Sequence, residues 1–349
     1  MPRRNGSYFG LTVNPTPLVA SGIWRVREAE EFLRVSKWPA TPGVPGSPVG
    51  SAGNSQVSLT WSAPSLGSPP TDYQIQYSSN SGTTWTAFAD GTSTATSAVV
   101  TGLTNGTGYI FRVRAVNALG EGPYGAASGT VTPTPFDVAL LLHFDGSNGS
   151  TTFTDSSNNG LSVTASGNAA ISTAQVKYGT GSLLLDGFGS HATIDSTSAL
   201  GLGVGDFTIE AWIWVDSLSI GNTIVDLGGY QNGVLLRLAG GSNDAAYIAG
   251  TSINWNSGNF VTAQQWTHVA MTRQGGTVRF FVGGTQVYAT TNSNDAGESA
   301  AAMIGQASHS ANDPTYGPSD AFNGYIDELR IVKGTAIYTA NFTPPTAAF

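Results

Sequence analysis

Residues 103–117 read LTNGTGYIFRVRAVN, and this stretch contains the signals that decide the fold. Tyr109, Phe111, Val113 and Ala115 recur at every second position, with Arg112 and Arg114 between them, which is the period-2 pattern of a strand with one buried face. The Asn-Gly-Thr-Gly run before them is typical of a turn. The pattern therefore predicts a β-strand entered from a tight corner.

The same pattern recurs upstream and downstream of this stretch. Val57, Leu59 and Trp61 alternate with polar residues, and turn residues separate the successive runs. Regular short strands over about ninety residues are typical of a β-sandwich. Further on, residues 207–215 read FTIEAWIWV, with Trp212 and Trp214 on the face opposite Phe207, Ile209 and Ala211. Apolar bulk on both faces predicts a strand of a two-layer sandwich.

Composition agrees with an all-β protein and excludes several functions. Charged residues make up 10% of the 349-residue chain, against about 25% in an ordinary soluble domain. With 14 Lys and Arg and a net charge of −8, a nucleic-acid partner is not expected. The chain has no cysteine, so disulfides and thiolate metal sites are excluded. No apolar run is long enough for membrane insertion, and Asn14, Pro15 and Pro17 interrupt the stretch where a secretory signal would need its apolar region.

Two proline-containing linkers predict three segments. Residues 1–39 form an N-terminal anchor segment, in which Arg25–Arg34 are good helix formers that end before Trp38-Pro39. The second segment is residues 40–134, beginning with the linker 40–48, and the third is residues 135–349. In the third, Thr277–Tyr288 are predicted to form a hairpin with Gly283-Gly284 at the turn. Because Trp24, Phe32, Leu33 and Trp38 need a surface to bury them, we expect these four to attach the chain to another protein. The alternative is that the segment packs on the domain that follows it.

The second segment resembles the fibronectin type III family. Trp61, in Leu59-Thr60-Trp61-Ser62-Ala63-Pro64, resembles the core tryptophan of that family. Tyr109 stands where the family has its tyrosine corner, and Gly120-Glu121-Gly122-Pro123 resembles its F–G loop. The resemblance covers about residues 43–132 and implies structural roles for Trp61 and Tyr109. Because the chain has no Arg-Gly-Asp, integrin binding is not implied.

The third segment resembles the laminin-G and concanavalin A-like jelly rolls. Six pieces occur in the family's order: Leu142–Gly146, Asp155–Gly160, Ser182–Gly187, Phe207–Trp212, Trp266–Ala270 and Phe322–Ile331. The resemblance implies a possible structural Ca²⁺, for which Asp145, Asp155 and Asp327 are the candidate ligands and Glu328 a competitor. The same carboxylates could instead cap turns or pair with Arg330 or a backbone donor.

The carboxylates offer no motif for glycan cleavage, so the sequence predicts a protein that is not an enzyme. Glycosidases need two carboxylates flanking the scissile bond. Asp327 and Glu328 are adjacent, and strict strand alternation would send them to opposite faces, while Glu210 would have only tryptophans beside it. The four histidines, His143, His191, His268 and His309, lack the spacing of metal ligands, and His268 is expected to be a packed, hydrogen-bonded residue.

Sugar recognition needs an exposed aromatic ring beside amides and carboxylates. Trp255, next to Asn254, fits this description best, and Tyr230 and Tyr316 come next. The alternative for Trp255 is a structural role at the edge of the sandwich. A shallow site of this kind predicts weak binding per copy and a clustered homo-oligomer, for instance a trimer.

Residues 22–39 resemble the N-termini of structural proteins of tailed phages, including cyanophages. The resemblance rests on Gly22-Ile23-Trp24, Arg27-Glu28-Ala29 and Lys37-Trp38-Pro39. It implies a virion head, neck or tail fibre or decoration protein, at the virion surface and outside the cell after lysis, with other virion proteins and host-surface carbohydrate as partners. Two alternatives stay open: a bacterial surface or secreted adhesin, and a carbohydrate-active enzyme or its accessory carbohydrate-binding module.

Overall fold

The computed structural model describes residues 8–9, 24–25, 40–195, 198–218, 222–228, 233–238, 246–248, 251–253, 261–297, 302–307 and 321–349. The chain divides into two compact units, Met1–Pro135 and Phe136–Phe349. Strand is the dominant element in both: 47% of the described residues are in strands and about 1% are in helix, so the predicted all-β class is confirmed. Among the described residues, no helix has the length and hydropathy needed to cross a bilayer.

The described part of the N-terminal segment is a two-stranded ribbon. Strand β1 is Tyr8–Phe9 and strand β2 is Trp24–Arg25, paired antiparallel with Tyr8 opposite Arg25. The sequence predicts a helix that begins at Arg25, but in the structure Arg25 belongs to a β-strand. Pairing with a distant segment has overridden the local helix preference of this position. The rest of the predicted helix lies outside the described residues.

The first unit continues as a β-sandwich of two antiparallel sheets. One sheet has the order β3-β4-β7 and the other β6-β5-β8-β9. The strands are β3 Val49–Gly53, β4 Gln56–Thr60, β5 Asp72–Ser78, β6 Thr86–Phe88, β7 Ser97–Thr101, β8 Ile110–Asn117 and β9 Gly120–Glu121.

The core of this sandwich contains the residues that the alternation predicted. Trp61 and Tyr109 are both buried, and the Trp61 ring meets the Tyr73 ring edge-on at 5.3 Å between centroids. The hydroxyl of Tyr109 accepts a hydrogen bond of 3.1 Å from the backbone N–H of Thr104. The aromatic core and the tyrosine corner are therefore confirmed.

The second unit is a larger sandwich of two sheets that enclose one continuous core. Within the described residues, one sheet has the order β13-β14-β25-β16-β21-β22-β23 with β10 also paired to β25, and the other has the order β11-β12-β15-β24-β17-β18-β19-β20. A short 3₁₀ turn occupies Ser198–Leu200. The strands are β10 Asp137–Leu142, β11 Thr152–Thr154, β12 Ser162–Ser166, β13 Ala170–Ser172, β14 Ser182–Asp186, β15 His191–Ile194, β16 Phe207–Val215, β17 Asn222–Leu227, β18 Val234–Leu238, β19 Ala246–Ile248, β20 Thr251–Ile253, β21 Thr267–Gln274, β22 Thr277–Val282, β23 Thr285–Thr291, β24 Ala302–Ile304 and β25 Asn323–Lys333.

The β22–β23 hairpin confirms its prediction from the sequence. Gly283 and Gly284 form the turn with φ of 57° and 78°. Positive φ at both central residues is the geometry of a type I′ turn, which glycine adopts without steric cost.

A bulge in β25 corrects the predicted orientation of Asp327 and Glu328. The register with β16 shifts between Glu210 and Trp212, and Glu328 takes a φ of 51°. The core residues on either side are Ile326 and Leu329, three positions apart, so two residues instead of one lie between consecutive inward side chains. The bulge therefore breaks the strict alternation that was to send the two carboxylates to opposite faces.

Candidate functional site

The four aromatic and amide residues predicted to bind sugar, Tyr230, Asn254, Trp255 and Tyr316, lie outside the described residues. The same holds for Phe32, Leu33 and Trp38 of the predicted anchor and for His309. For Trp24 the structure describes the backbone in β2. Their roles stay predictions.

Asp155, a predicted calcium ligand, is buried and accepts four hydrogen bonds. Its Oδ1 accepts from the backbone N–H of Leu141 at 3.0 Å and of Ser157 at 2.9 Å. Its Oδ2 accepts from the Ser157 hydroxyl and from the backbone N–H of Leu161, both at 2.8 Å. This carboxylate fixes the turn that follows β11.

Asp327 and Asp145 are occupied in a similar way. Asp327 is fully buried, and it accepts from the backbone N–H groups of Lys177 at 2.9 Å, Tyr178 at 3.1 Å and Glu328 at 2.9 Å. Burial raises the pKa of Asp327 to about 7, against the opposing effect of these three N–H donors, and the charge of Glu328 adds to the rise. Asp145 accepts from the backbone N–H and the hydroxyl of Thr180.

These three carboxylates do not fit a shared calcium cage. Calcium requires six to eight oxygen ligands around one point. Among the described residues, no three His, Asp or Glu side chains are arranged to hold a metal ion. The oxygens of Asp145, Asp155 and Asp327 instead accept N–H and O–H donors of their own chain. Calcium binding stays a prediction from the family resemblance.

A network of charged side chains lies on the side of the sheet with strands β16, β21 and β25 that faces away from the core. Other parts of the chain cover this network, so it is buried. Glu210 is fully buried at its centre. Its Oε1 accepts from Nε and Nη2 of Arg330 at 2.9 and 2.6 Å, and its Oε2 contacts His268 Nε2 at 3.1 Å and accepts from the Tyr338 hydroxyl at 2.8 Å. The sequence had assigned Glu210 only tryptophan neighbours, and this was wrong because cross-strand partners supply His268 and Arg330.

Ionised Glu210 is the form that this network stabilises. Burial acts to raise the pKa of Glu210, but the hydrogen bond with His268 and the charge of Arg330 outweigh it and hold the pKa below its usual range. Burial also raises the pKa of the Tyr338 hydroxyl far above its ordinary value, and the nearby Glu210 charge adds to the rise. Tyr338 therefore stays protonated and remains a hydrogen-bond donor. The predicted packed, hydrogen-bonded state of His268 is confirmed.

The last fifteen residues, 335–349, cover this network, and we call them the C-terminal segment. The rings of Tyr338 and Phe342 stack at 3.5 Å, and the His268 ring meets the Phe342 ring edge-on at 5.6 Å. The backbone N–H of Phe349 donates to Glu328 Oε2 at 2.9 Å, and the hydroxyl of Tyr178 donates to the carbonyl of Pro345 at 2.7 Å. Glu210 is thus sealed beneath the C-terminal segment. We call the charged network and the C-terminal segment together the covered face.

The hydrogen bonds of the covered face connect distant parts of the chain and hold them together. Glu328 pairs with Nδ1 of His143 at 2.9 Å in addition to its bond with Phe349. Glu210, Asp327 and Glu328 are therefore all bonded to groups of their own chain, whereas a glycosidase must leave two carboxylates free to contact the scissile bond. None of these three carboxylates is free in this arrangement to act on a glycosidic bond.

An aromatic side chain of the second unit is exposed to solvent on a turn that hydrogen bonds hold in place. Phe188 is 85% exposed. Asp186 accepts from the backbone N–H of Phe188 at 2.9 Å, from the Ser190 hydroxyl at 2.6 Å and from Asn168 Nδ2 at 2.8 Å. Burial acts to raise the pKa of Asp186, but these hydrogen bonds dominate and lower it. The carboxylate is therefore held ionised as a rigid support for the aromatic ring.

Sequence reasoning missed Phe188, although a signal was present. The residue stands between Gly187 and Gly189, which have φ of 76° and 94°. An aromatic residue between two glycines in left-handed conformation is displayed on a turn instead of packed in a strand. The family resemblance of this region covers Ser182–Gly187 and ends one residue before Phe188.

Comparison with known families assigns both domains. The family model of the fibronectin type III domain matches residues 45–131. The family model of the concanavalin A-like lectin/glucanases superfamily matches residues 186–336. The chain therefore contains a fibronectin type III domain followed by a concanavalin A-like domain, as predicted, and domains of both kinds are typically binding modules.

Solved structures with similarity to this chain come from several kinds of protein. A fragment of titin is 27% identical, with a TM-score of 0.25, and the match covers 27% of this chain and 32% of the titin fragment. Domain 4 of an extracellular arabinanase of Geobacillus stearothermophilus, in complex with arabinotriose, is 18% identical with a TM-score of 0.41, covering 56% of this chain and 92% of that domain. The binding domain of a botulinum neurotoxin serotype D/C is 15% identical with a TM-score of 0.41, covering 57% of this chain and 50% of its own. The domain assignment rests on the two family models.

Proposed function

We propose that this chain is a non-enzymatic adhesion protein of a phage virion. It would be a head, neck or tail fibre or a decoration protein. The N-terminal segment, residues 1–39, docks to the particle, and the concanavalin A-like domain faces carbohydrate on the host surface. In the sequence, the fibronectin type III domain lies between the N-terminal segment and the concanavalin A-like domain.

The observation that carries the adhesion part of the proposal is the exposed ring of Phe188. Sugars stack their C–H faces on aromatic rings and exchange hydrogen bonds with nearby amides and carboxylates. Asp186 and Asn168 lie at this turn, and their bond to one another limits the conformational entropy lost when a ligand binds. Phe188 thus joins Trp255, Asn254, Tyr230 and Tyr316 as a candidate for ligand contact.

A site built on one stacked ring and a few hydrogen bonds is weak. Millimolar to micromolar affinity corresponds to about −4 to −8 kcal/mol. Firm attachment then requires several linked copies, because a second binding event takes place at the high local concentration set by the first. A homo-oligomer, with a trimer as one form, is part of the proposal.

A glycan array with the multimerised full chain tests the adhesion part. We expect binding to host-surface polysaccharide, with a loss of about tenfold or more in Phe188→Ala and Trp255→Ala. Val204→Ala is the matched control, since Val204 is 69% exposed in the same domain but is not aromatic. Equal binding by Phe188→Ala, Trp255→Ala and the control, or unchanged cell binding after the polysaccharide is stripped, would refute the glycan target.

The virion part is tested separately on purified particles. Mass spectrometry should detect the chain in particles banded by density, and Trp24→Ala with Trp38→Ala should reduce its incorporation while the protein stays folded. Recovery of the chain in a bacterial cell-surface fraction, and its absence from particles, would contradict the virion assignment and support a bacterial adhesin.

A further inference from the structure

A concave site lies on the fibronectin type III domain, apart from the jelly-roll residues discussed above. Its volume is about 330 Å³, at the lower end of the range of ligand pockets. It lies at the outer surface of the sheet β6-β5-β8-β9, which we call the open face. Its lining includes Asp72, Gln74, Gln76, Asp90, Arg114 and Tyr124.

The pocket arises because β6 is shorter than its neighbour β5. The register between them runs from Ile75–Phe88 to Tyr77–Thr86. After Phe88 the chain leaves the strand and turns at Gly91, whose φ is 79°. The backbone N–H of Ser93 then donates to Asp72 Oδ1 at 3.0 Å. The outer part of β5 is thus left as a floor, and residues 88–91 form a wall beside it.

Stacked cations and aromatic rings form the opposite wall and hold it rigid. The Arg112 guanidinium lies 4.1 Å from the ring centre of Trp85 and 4.2 Å from that of Tyr124, and the Arg114 guanidinium lies 4.8 Å from that of Tyr124. Such contacts limit the rotamers of both arginines, so the wall exists before a ligand arrives.

The two glutamines of the floor are oriented by the same arginines. Gln76 Oε1 accepts from Arg112 at 2.9 and 2.6 Å, and Gln74 Oε1 accepts from Arg114 Nε at 2.8 Å. With each carbonyl oxygen fixed on a guanidinium, each amide nitrogen is oriented as a donor. The pocket therefore combines oriented amide donors with the carboxylate acceptors of Asp72 and Asp90.

The charges around the pocket select the chemistry of the ligand. An anion would meet Asp72 and Asp90, and a cation would meet Arg114, which already pairs with Glu121 at 2.5 Å. Partial burial raises the pKa of Asp90, and the neighbouring Asp72 charge also raises it, so the Asp90 carboxylate is less well solvated than a free one. A neutral polyol can bind to both the carboxylates and the amides of the pocket, because each hydroxyl group donates to a carboxylate and accepts from an amide.

We propose that this pocket binds one unit of a neutral saccharide, with its hydroxyl groups on Asp72, Asp90 and Gln74 and an apolar edge against Tyr124. The fibronectin type III domain would then be a second sugar-binding module of the chain and not only a spacer.

The test uses the full chain carrying both Phe188→Ala and Trp255→Ala, so that jelly-roll binding through these two residues is weakened. Saturation-transfer NMR with methyl glucoside, galactoside, mannoside and N-acetylglucosaminide should give a millimolar Kd for at least one probe. Asp90→Asn and Gln74→Ala should each weaken that binding about tenfold. Gln56→Ala, a glutamine of the opposite sheet, is the matched control and should bind within about twofold of the parent.

Three outcomes would overturn the proposal. Either no probe gives a signal, or the Asp90 and Gln74 variants bind like the Gln56 control. Stronger binding of lysine methyl ester than of every sugar would also overturn it, in favour of a cation site. If Gln74→Ala unfolds the domain, Ala89→Trp fills the pocket from an exposed position and serves in its place. None of these outcomes depends on the glycan target of the jelly roll.

Discussion

The covered face and the open face contain similar side chains and put them to different uses. Each has an arginine that donates two hydrogen bonds to one oxygen, Arg330 to Glu210 and Arg112 to Gln76. Each also has aromatic rings beside the guanidinium group. On the covered face the C-terminal segment removes these groups from water, whereas on the open face Gln76, together with Arg114 and Tyr124, lines a pocket.

This difference shows that coverage, more than residue type, decides what such a cluster does. A charge pair removed from water is costly to break, because the partner that remains is left buried and unpaired. A pair in contact with water contributes little to stability, because solvent screens it and can replace it. The covered face therefore holds the domain together, and the open face keeps its donors and acceptors available.

The largest expected effect follows from this contrast. Glu210→Gln leaves Arg330 buried without its charge partner, so we expect the free energy of unfolding of the concanavalin A-like domain to fall by about 3–5 kcal/mol. The matched change on the open face, Glu121→Gln, removes an ion pair whose carboxylate is 49% exposed, and should cost about 0–1 kcal/mol. Calorimetry on the full chain measures both. Similar losses in the two variants would mean that coverage does not set the strength of these pairs.

The second prediction concerns pH. The pKa of Asp327 rises from 3.8 to about 7 on folding, chiefly through burial, so the folded state binds the proton more tightly than the unfolded state does. Stability contributed by this group is present below about pH 4 and is lost as pH rises towards 7, by at most about 4 kcal/mol. Asp327→Asn should flatten this slope of unfolding free energy against pH. Identical slopes in the variant and the parent would show that Asp327 does not titrate in this range.

The smallest effects concern single hydroxyl groups. Tyr109→Phe leaves the N–H of Thr104 without its acceptor and should destabilise the fibronectin type III domain by about 1–3 kcal/mol. Tyr338→Phe removes a donor to buried Glu210 and should cost about 1.5–3 kcal/mol in the other domain. Each loss should move one calorimetric transition. A shift of both transitions by either variant would show that the two domains do not unfold independently.

Much of the fold could be predicted from local sequence, because burial on one face of a strand leaves a period-2 pattern. The burial of Phe111 and Val113, and of Ile209 and Ile213, followed from this rule. The turn at Gly283-Gly284 followed from the preference of adjacent glycines for tight hairpin turns. Trp61 and Tyr109 were identifiable because their surroundings repeat a family pattern. The prediction of a helix from Arg25 is wrong at its first residue, because Arg25 pairs with Tyr8 in a two-stranded ribbon.

The candidate sites depended on contacts that alternation does not contain. The bulge at Glu328 changes which face a carboxylate occupies, and a single left-handed residue is enough to produce it. The partners of Glu210 come from strands and a segment far along the chain, at His268, Arg330 and Tyr338. No local pattern around Glu210 specifies them.

The sequence by itself determined the all-β class, the two domain families and the residues that fill the two cores. Those properties follow from short-range periodicity and from turn chemistry, which neighbouring residues specify. Only the tertiary structure decided that Glu210 is sealed by the C-terminal segment while Gln74 and Asp72 remain on an open pocket. Coverage is a property of segments distant in sequence that meet in space, and it sets the local dielectric on which the strength of every charged contact depends.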